Sequence, residues 1–318
     1  MNRKIKRILK ITLPLLLGVF LVWYSISKVS LEELLQYVKR ADYTYIVLGM
    51  LLGLLSHLSR AYRWRFQLEP MGYDIKLGNS IMAVFATYLI NYTIPRAGEV
   101  ARASIITNYE DVPFEKGFGT IVAERIADMV VMVGIICITL FLQFDFIYQF
   151  LIERFQPTKL LVIVVLGCAV IMLLYRFIKK SRSVFALRIK KFITGLIEGT
   201  LSIFKMKKKW AYIWHTLFIW AMYLLMFYVT TFSVDELNQI PVGAVLIGFI
   251  SASFSIAATN GGIGSYPVAV FLAFSIFGIE KDPSIAFGWI MWASQTLLII
   301  ILGGLSLIYL PIYNRRKK

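Results

Sequence analysis

Six stretches of this chain run for about 18 residues or more almost without charge, at 8–27, 43–64, 117–142, 160–178, 210–232 and 285–309, the length an α-helix needs to cross a bilayer core. Backbone groups in hydrocarbon have no water to bond, so each such run must satisfy its own amides as a helix. Composition agrees. Of 318 residues, 58% are hydrophobic and only 16% charged, where a soluble domain carries about a quarter. These observations predict an all-α, multi-pass integral membrane protein.

The formal charge of +16 then needs no nucleic-acid partner, because Lys and Arg of membrane proteins collect in short cytoplasmic segments. Placing the amino terminus inside puts the five basic residues before Ile11, then Arg60, Arg63, Arg65, Lys76, the 176–209 loop and Arg315–Lys318 on one side. Both termini are thus expected in the cytoplasm, in a membrane of the bacterial inner type. The basic start followed by an apolar run to Tyr24 has the layout of a signal peptide, but no small-residue cleavage site follows and Lys28 comes next, so a retained first span is expected. Cys137 and Cys168 lie inside apolar runs, where a thiol acts as a small hydrophobe, and neither a disulfide nor a metal site is expected.

Two further apolar stretches, near 77–110 and 241–279, are broken in the middle by Gly, Pro and polar residues. The charge asymmetry holds only if each begins and ends on the same side, which makes each a hairpin. The second arm of the first, 97–110, is about 21 Å long as a helix, too short for a core of about 30 Å. It is expected to re-enter from the cytoplasm, and the second hairpin, whose linker has no basic residue, from outside. Span, hairpin and span over 43–142 then repeat with opposite topology over 210–310, an inverted repeat of the kind transporters use. Between the halves, 176–209 is a basic loop with an amphipathic helix suited either to anionic headgroups or to a plain solvated connector. A short amphipathic helix over 31–40 reads as a surface cap.

Charge interrupts this lipid-like chain at Asn91-Tyr-Thr-Ile-Pro95-Arg96-Ala-Gly98-Glu99-Val-Ala-Arg102 and at Glu124-Arg125-Ile-Ala-Asp128. Each buried charge costs about 2.5–3.5 kcal/mol, so the six together would cost about 15–20 kcal/mol if left unpaired. Pro95 and Gly98 suit a turn whatever the function. The turn does not need Arg96, Glu99 and Arg102, nor Glu124 and Asp128 sharing a helical face with Arg125 beside them. Those six groups form either a closed set of structural ion pairs or a headgroup or proton site.

Asn260-Gly261-Gly262-Ile-Gly264-Ser265 reads either as a plain turn or as an anion-binding loop opening a short helix. Before it, Gly248, Ala252, Ser255 and Thr259 form a small-residue stripe that suits close helix packing. Arg60, Arg63 and Trp64 end the second span as interfacial lipid anchors. His57 and His215 are expected to be satisfied helix-facing residues, and Gln295 to make an interhelical hydrogen bond.

The motif Pro95-Arg96-Ala97-Gly98-Glu99 with Arg102, then Glu124-Arg125 and Asp128, then Gly261-Gly262-Ile263-Gly264, with Arg63-Trp64 ending the second span, resembles the lysylphosphatidylglycerol synthase transmembrane family over about residues 8–310. The resemblance implies movement of a lipid or lipid-linked molecule between leaflets. Lysyl transfer is not expected, because two-part members carry it on a soluble aminoacyl-transferase domain and this chain is expected to be a stand-alone member. The expected partners are anionic or zwitterionic phospholipids or a lipid-linked glycan, with a separate soluble transferase as a further candidate. Neither catalytic residues nor cofactor are expected. The competing readings are a membrane subunit of a lipid-modifying enzyme and a membrane enzyme acting on headgroups.

Overall fold

The computed structural model describes residues 31–94, 96–154, 206–259 and 261–315, with a few isolated positions between 155 and 205. The spans expected at 8–27 and 160–178, nearly all of the 176–209 loop, Pro95 and Asn260 lie outside the described residues. The described helices are α1 (Leu31–Arg40), α2 (Tyr43–Leu68), α3 (Leu77–Thr93), α4 (Ala97–Glu110), α5 (Phe114–Leu142), α6 (Phe144–Arg154), α7 (Lys209–Thr231), α8 (Val242–Ala258), α9 (Ser265–Ser275) and α10 (Lys281–Tyr313). Among the described residues there is no strand. The chain divides into two compact units, residues up to Glu124 together with those from Trp210 onward, and Arg125–Lys209.

Among the described residues four helices are long and apolar enough to cross a membrane: Tyr43–Met71, Phe114–Leu142, Lys209–Thr231 and Lys281–Tyr313. Their outer faces are apolar. Val130, Val133 and Phe141 on α5, Trp214 and Leu217 on α7, and Leu297, Ile301 and Ile308 on α10 are all exposed. Water would penalise such a surface and lipid favours it.

Local chemistry sets the helix ends. Asp42 caps α2 by accepting from the Thr44 amide at 2.8 Å, which satisfies one of the orphan donors of the first turn. At the other end Pro70 closes a short 3₁₀ turn and Gly72 takes φ +87°, a left-handed stop that costs glycine little. The two broken apolar stretches are helix pairs, α3/α4 and α8/α9, the arms of each packed on one another. Their four arms have 17, 14, 17 and 11 residues, so the longest is about 25 Å.

Glycines let these short arms approach. A Cβ at Gly98 would strike the Thr87 carbonyl oxygen and Asn91 on the opposite arm, one at Gly288 would meet Pro267, and one at Gly303 would meet Leu89 and the Phe85 carbonyl. Helix α10 thereby packs on both pairs at once. The small-residue stripe on α8 does what its spacing predicts: Gly248 lies against Phe274 and Phe227. Two cores result, an aliphatic one around Leu68, Ile75, Ala83, Ile106 and Ile121, and an aromatic one in which Phe227 meets Phe249, Phe274 and Phe287.

Candidate functional site

On α2, Arg60, Arg63 and Trp64 project to one helical side, and all are buried, at 3%, 0% and 0% exposure. The expectation that they anchor the protein at a lipid interface is therefore corrected. Residues at an aqueous boundary snorkel outward; these point inward because Glu124 gives them a counter-charge. Thr120 and Glu124 sit one turn apart on the inward face of α5 and are buried at 2% and 0%.

Three guanidinium groups converge on that one carboxylate. Arg102 donates from Nη1 to Oε1 at 3.3 Å and from Nη2 to Oε2 at 3.1 Å, a forked pairing only a planar guanidinium can make. Arg60 donates from Nη1 to Oε1. Arg63 Nη2 lies 3.6 Å from the same oxygen. These cations have other neighbours besides Glu124. The Arg102 guanidinium lies 3.9 Å from the centre of the Trp64 ring, and Trp64 Nε1 donates to Thr120 Oγ1 at 2.8 Å. Arg63 donates to Thr216 Oγ1 at 2.7 Å and faces the Tyr212 ring. Arg60 reaches Tyr223 Oη at 3.5 Å.

Of the six motif charges, the structure thus joins Arg102 and Glu124 directly. Arg96 is exposed at the turn, with φ +63°. Glu99 is half-buried, its Oε1 3.5 Å from Asn91 Nδ2, while Asn91 Oδ1 accepts from the Gly98 amide at 2.8 Å and closes the turn. Arg125 is exposed and Asp128 is buried, at 8%. Arg60 and Arg63, the other two arms of the cluster, were read as boundary anchors because arginine next to tryptophan at a span's end is an ordinary pattern there. The signal that would have found them is their spacing from His57: 57, 60, 63–64 and 67 trace one continuous side of a helix.

The glycine loop takes left-handed backbone, which glycine adopts readily, with φ +67°, +78° and +67° at Gly261, Gly262 and Gly264. Ser265 Oγ is engaged by Ser255 at 2.6 Å and by Thr259 at 2.9 Å, and the Gly261 carbonyl accepts from Trp292 Nε1 at 2.8 Å. The hairpin tips touch. Gly261 packs so closely on the Tyr92 ring, at the end of α3, that a Cβ there would collide with it, and Tyr92 Oη lies 3.3 Å from Thr296 Oγ1 on α10.

Other polar contacts were not legible in advance. Asn79 and Asn314 exchange amide hydrogen bonds at 2.8 and 3.0 Å, and Asn79 also donates to Glu110, tying the base of the first hairpin to the end of α10. A cavity of about 230 Å³ lies between α1, the turn after α7 and the start of α10, lined by Glu33, Tyr37, Arg40, Asp235, Glu236 and Asp282 among others. Burial pushes the Tyr37 phenol up, and Glu236, Asp282, Glu280 and Glu33 add to the shift. Among the described residues no cluster of His, Cys, Asp or Glu has the arrangement of a metal site.

Fold and site together define a multi-pass α-helical membrane protein with an ionic cluster enclosed among its helices. The family described as the lysylphosphatidylglycerol synthase TM region matches residues 11–304, and the chain belongs to it. A UPF0104 membrane protein of Methanocaldococcus jannaschii is 24% identical over 98% of both chains. A second, from Pyrococcus horikoshii, is 25% identical over 60% of this chain and 53% of its own. The glycosyltransferase AglD of Haloferax volcanii is 26% identical over 42% of this chain and 21% of its own length. No solved structure matches.

Proposed function

We propose that the protein carries a phospholipid or lipid-linked molecule between the leaflets of the cell membrane, with no chemical turnover of its own. The observation that carries this reading is the convergence of Arg60, Arg63 and Arg102 on Glu124 at near-zero exposure, in a protein whose exterior is built for lipid. A buried ion pair is weak as a stabilising device, since apolar residues of similar volume often serve as well. A phosphodiester offers two oxygens at a spacing close to that of the Glu124 carboxylate. It can therefore replace Glu124 on the arginine fork.

In this reading both termini are cytoplasmic, the pairs α3/α4 and α8/α9 are re-entrant hairpins from opposite faces, and the halves 43–142 and 210–310 form an inverted repeat around their contact at Tyr92 and Gly261. Support comes from the Lys and Arg distribution and from arms shorter than the bilayer core. The test is leaflet exchange of labelled lipids in liposomes. Arg102→Lys keeps the charge and removes the fork, so exchange should fall at least tenfold with thermal stability retained. Unchanged exchange across anionic and zwitterionic headgroups defeats the proposal.

The similarity to part of a protein named as a glycosyltransferase favours a second reading, a membrane partner of a separate lipid-modifying enzyme. Co-purification with such an enzyme, and loss of its activity on deletion of this chain, distinguishes that role.

A further inference from the structure

Next to the ionic cluster, on the same side of α2, lies a group of polar atoms that the cluster does not use. His57 is 7% exposed, and its Nδ1 is buried with no hydrogen-bond partner among the described residues; so are Trp220 Nε1 and Gln295 Nε2. The expectation that His57 is satisfied is therefore corrected at its Nδ1, whereas His215 does pair, 2.8 Å from Ser59 Oγ. Roughly 90% or more of buried polar groups find a partner, so three orphans among neighbouring helices call for one.

Shared neighbours link them. The His57 ring lies 4.6 Å from Tyr88, 5.7 Å from Phe85 and 6.0 Å from Tyr223. Tyr223 is in turn 6.1 Å from Trp220, and its hydroxyl is the group Arg60 reaches. Gln295 sits against Gly53, one helical turn before His57 on α2.

We propose that these groups form a headgroup subsite for a hydroxyl-bearing anionic phospholipid, whose head is glycerol, inositol or another sugar-like polyol. The inference rests on the transport reading for its lipid, and specifies what that lipid carries. Trp220 Nε1 and Gln295 Nε2 can only donate, and His57 Nδ1 donates or accepts according to tautomer. Hydroxyl oxygens answer all three. A choline or ethanolamine ammonium answers neither donor, and it would sit a turn from Arg60 and its neighbouring guanidinium groups, which repel it. The aromatic faces of Tyr88, Tyr223 and Trp220 suit the C–H faces of a polyol. Its phosphate would lie toward Arg60.

The test is titration of the purified full-length protein in detergent with short-chain phosphatidylinositol, phosphatidylglycerol and phosphatidylcholine, and with glycerol 3-phosphate lacking acyl chains. Phosphatidylinositol and phosphatidylglycerol should bind at least tenfold tighter than phosphatidylcholine. Trp220→Phe, which keeps the ring and removes only the N–H, should abolish most of that preference while leaving phosphatidylcholine binding unchanged. His57→Phe should act in the same direction, and Gln295→Leu provides the reading should His57→Phe not fold. Equal affinity for phosphatidylcholine, or an undiminished preference in folded Trp220→Phe, overturns the subsite. Glycerol 3-phosphate binding as tightly as the lipids overturns the assignment to a lipid. Selective binding by a protein that exchanges no lipid in liposomes upholds the subsite and removes the transport reading instead.

Discussion

The two hairpins share a plan and differ in what holds them. Each is a pair of short helices joined by a tight turn with left-handed backbone, and the tips meet at Tyr92 and Gly261. The first projects Arg102 from its second arm onto Glu124 and is closed at its base by Asn79, Glu110 and Asn314. The second contains no charged side chain between Val242 and Ser275 and is joined by the hydroxyls of Ser255, Thr259 and Ser265. Hydroxyl bonds between membrane helices are worth about 0.6 kcal/mol on average, whereas stripping one partner from a buried ion pair costs about 3–5 kcal/mol. The first hairpin is thus held by a few interactions that cannot be lost singly, and the second by many small ones that can.

Substitutions order the two on one scale, thermal unfolding in detergent. Glu124→Gln removes the carboxylate that accepts from the Arg102 fork and should destabilise by about 3–5 kcal/mol; a loss no larger than that of a hydroxyl deletion would erase the contrast. Gly98→Ala drives a Cβ into the Thr87 carbonyl and should cost about 1–3 kcal/mol, the usual range for overpacking, with the first hairpin becoming more accessible to amide exchange. Gly262→Ala forces a side chain onto φ +78°, costing about 1–2 kcal/mol, and hydrogen exchange should rise in α9 while leaving α4 protected. The smallest effect is expected of Ser265→Ala, about 0.6 kcal/mol, measurable as a slight fall in the unfolding midpoint.

Much of the fold was legible because lipid imposes a simple rule. The apolar runs at 43–64, 117–142, 210–232 and 285–309 reappear as α2, α5, α7 and α10, and the breaks at 94–96 and 259–264 fall between the two arms of each helix pair. Arg102 and Glu124 were legible as well, since a charge in an oily run has to be met by something. Arg60, Arg63 and Trp64 were misread because position along a span does not say which way a side chain turns, and a span's end faces headgroups in one protein and a neighbouring helix in another. Gln295 carried no pattern at all, and His57, though it shares one side of α2 with Arg60 and Arg63, gave no sign of what meets its ring: a polar residue looks the same in sequence whether or not a partner awaits it.

Sequence alone established a helical protein for a bilayer, with two interrupted segments and charges that had to be neutralised, because hydrocarbon penalises every unsatisfied polar group at whatever position it occurs. Which groups neutralise one another was decided in three dimensions. Arg60, Arg102 and Glu124 lie on three different helices, 42 and 22 residues apart along the chain, and only the packing of α2, α4 and α5 brings their side chains within hydrogen-bond reach.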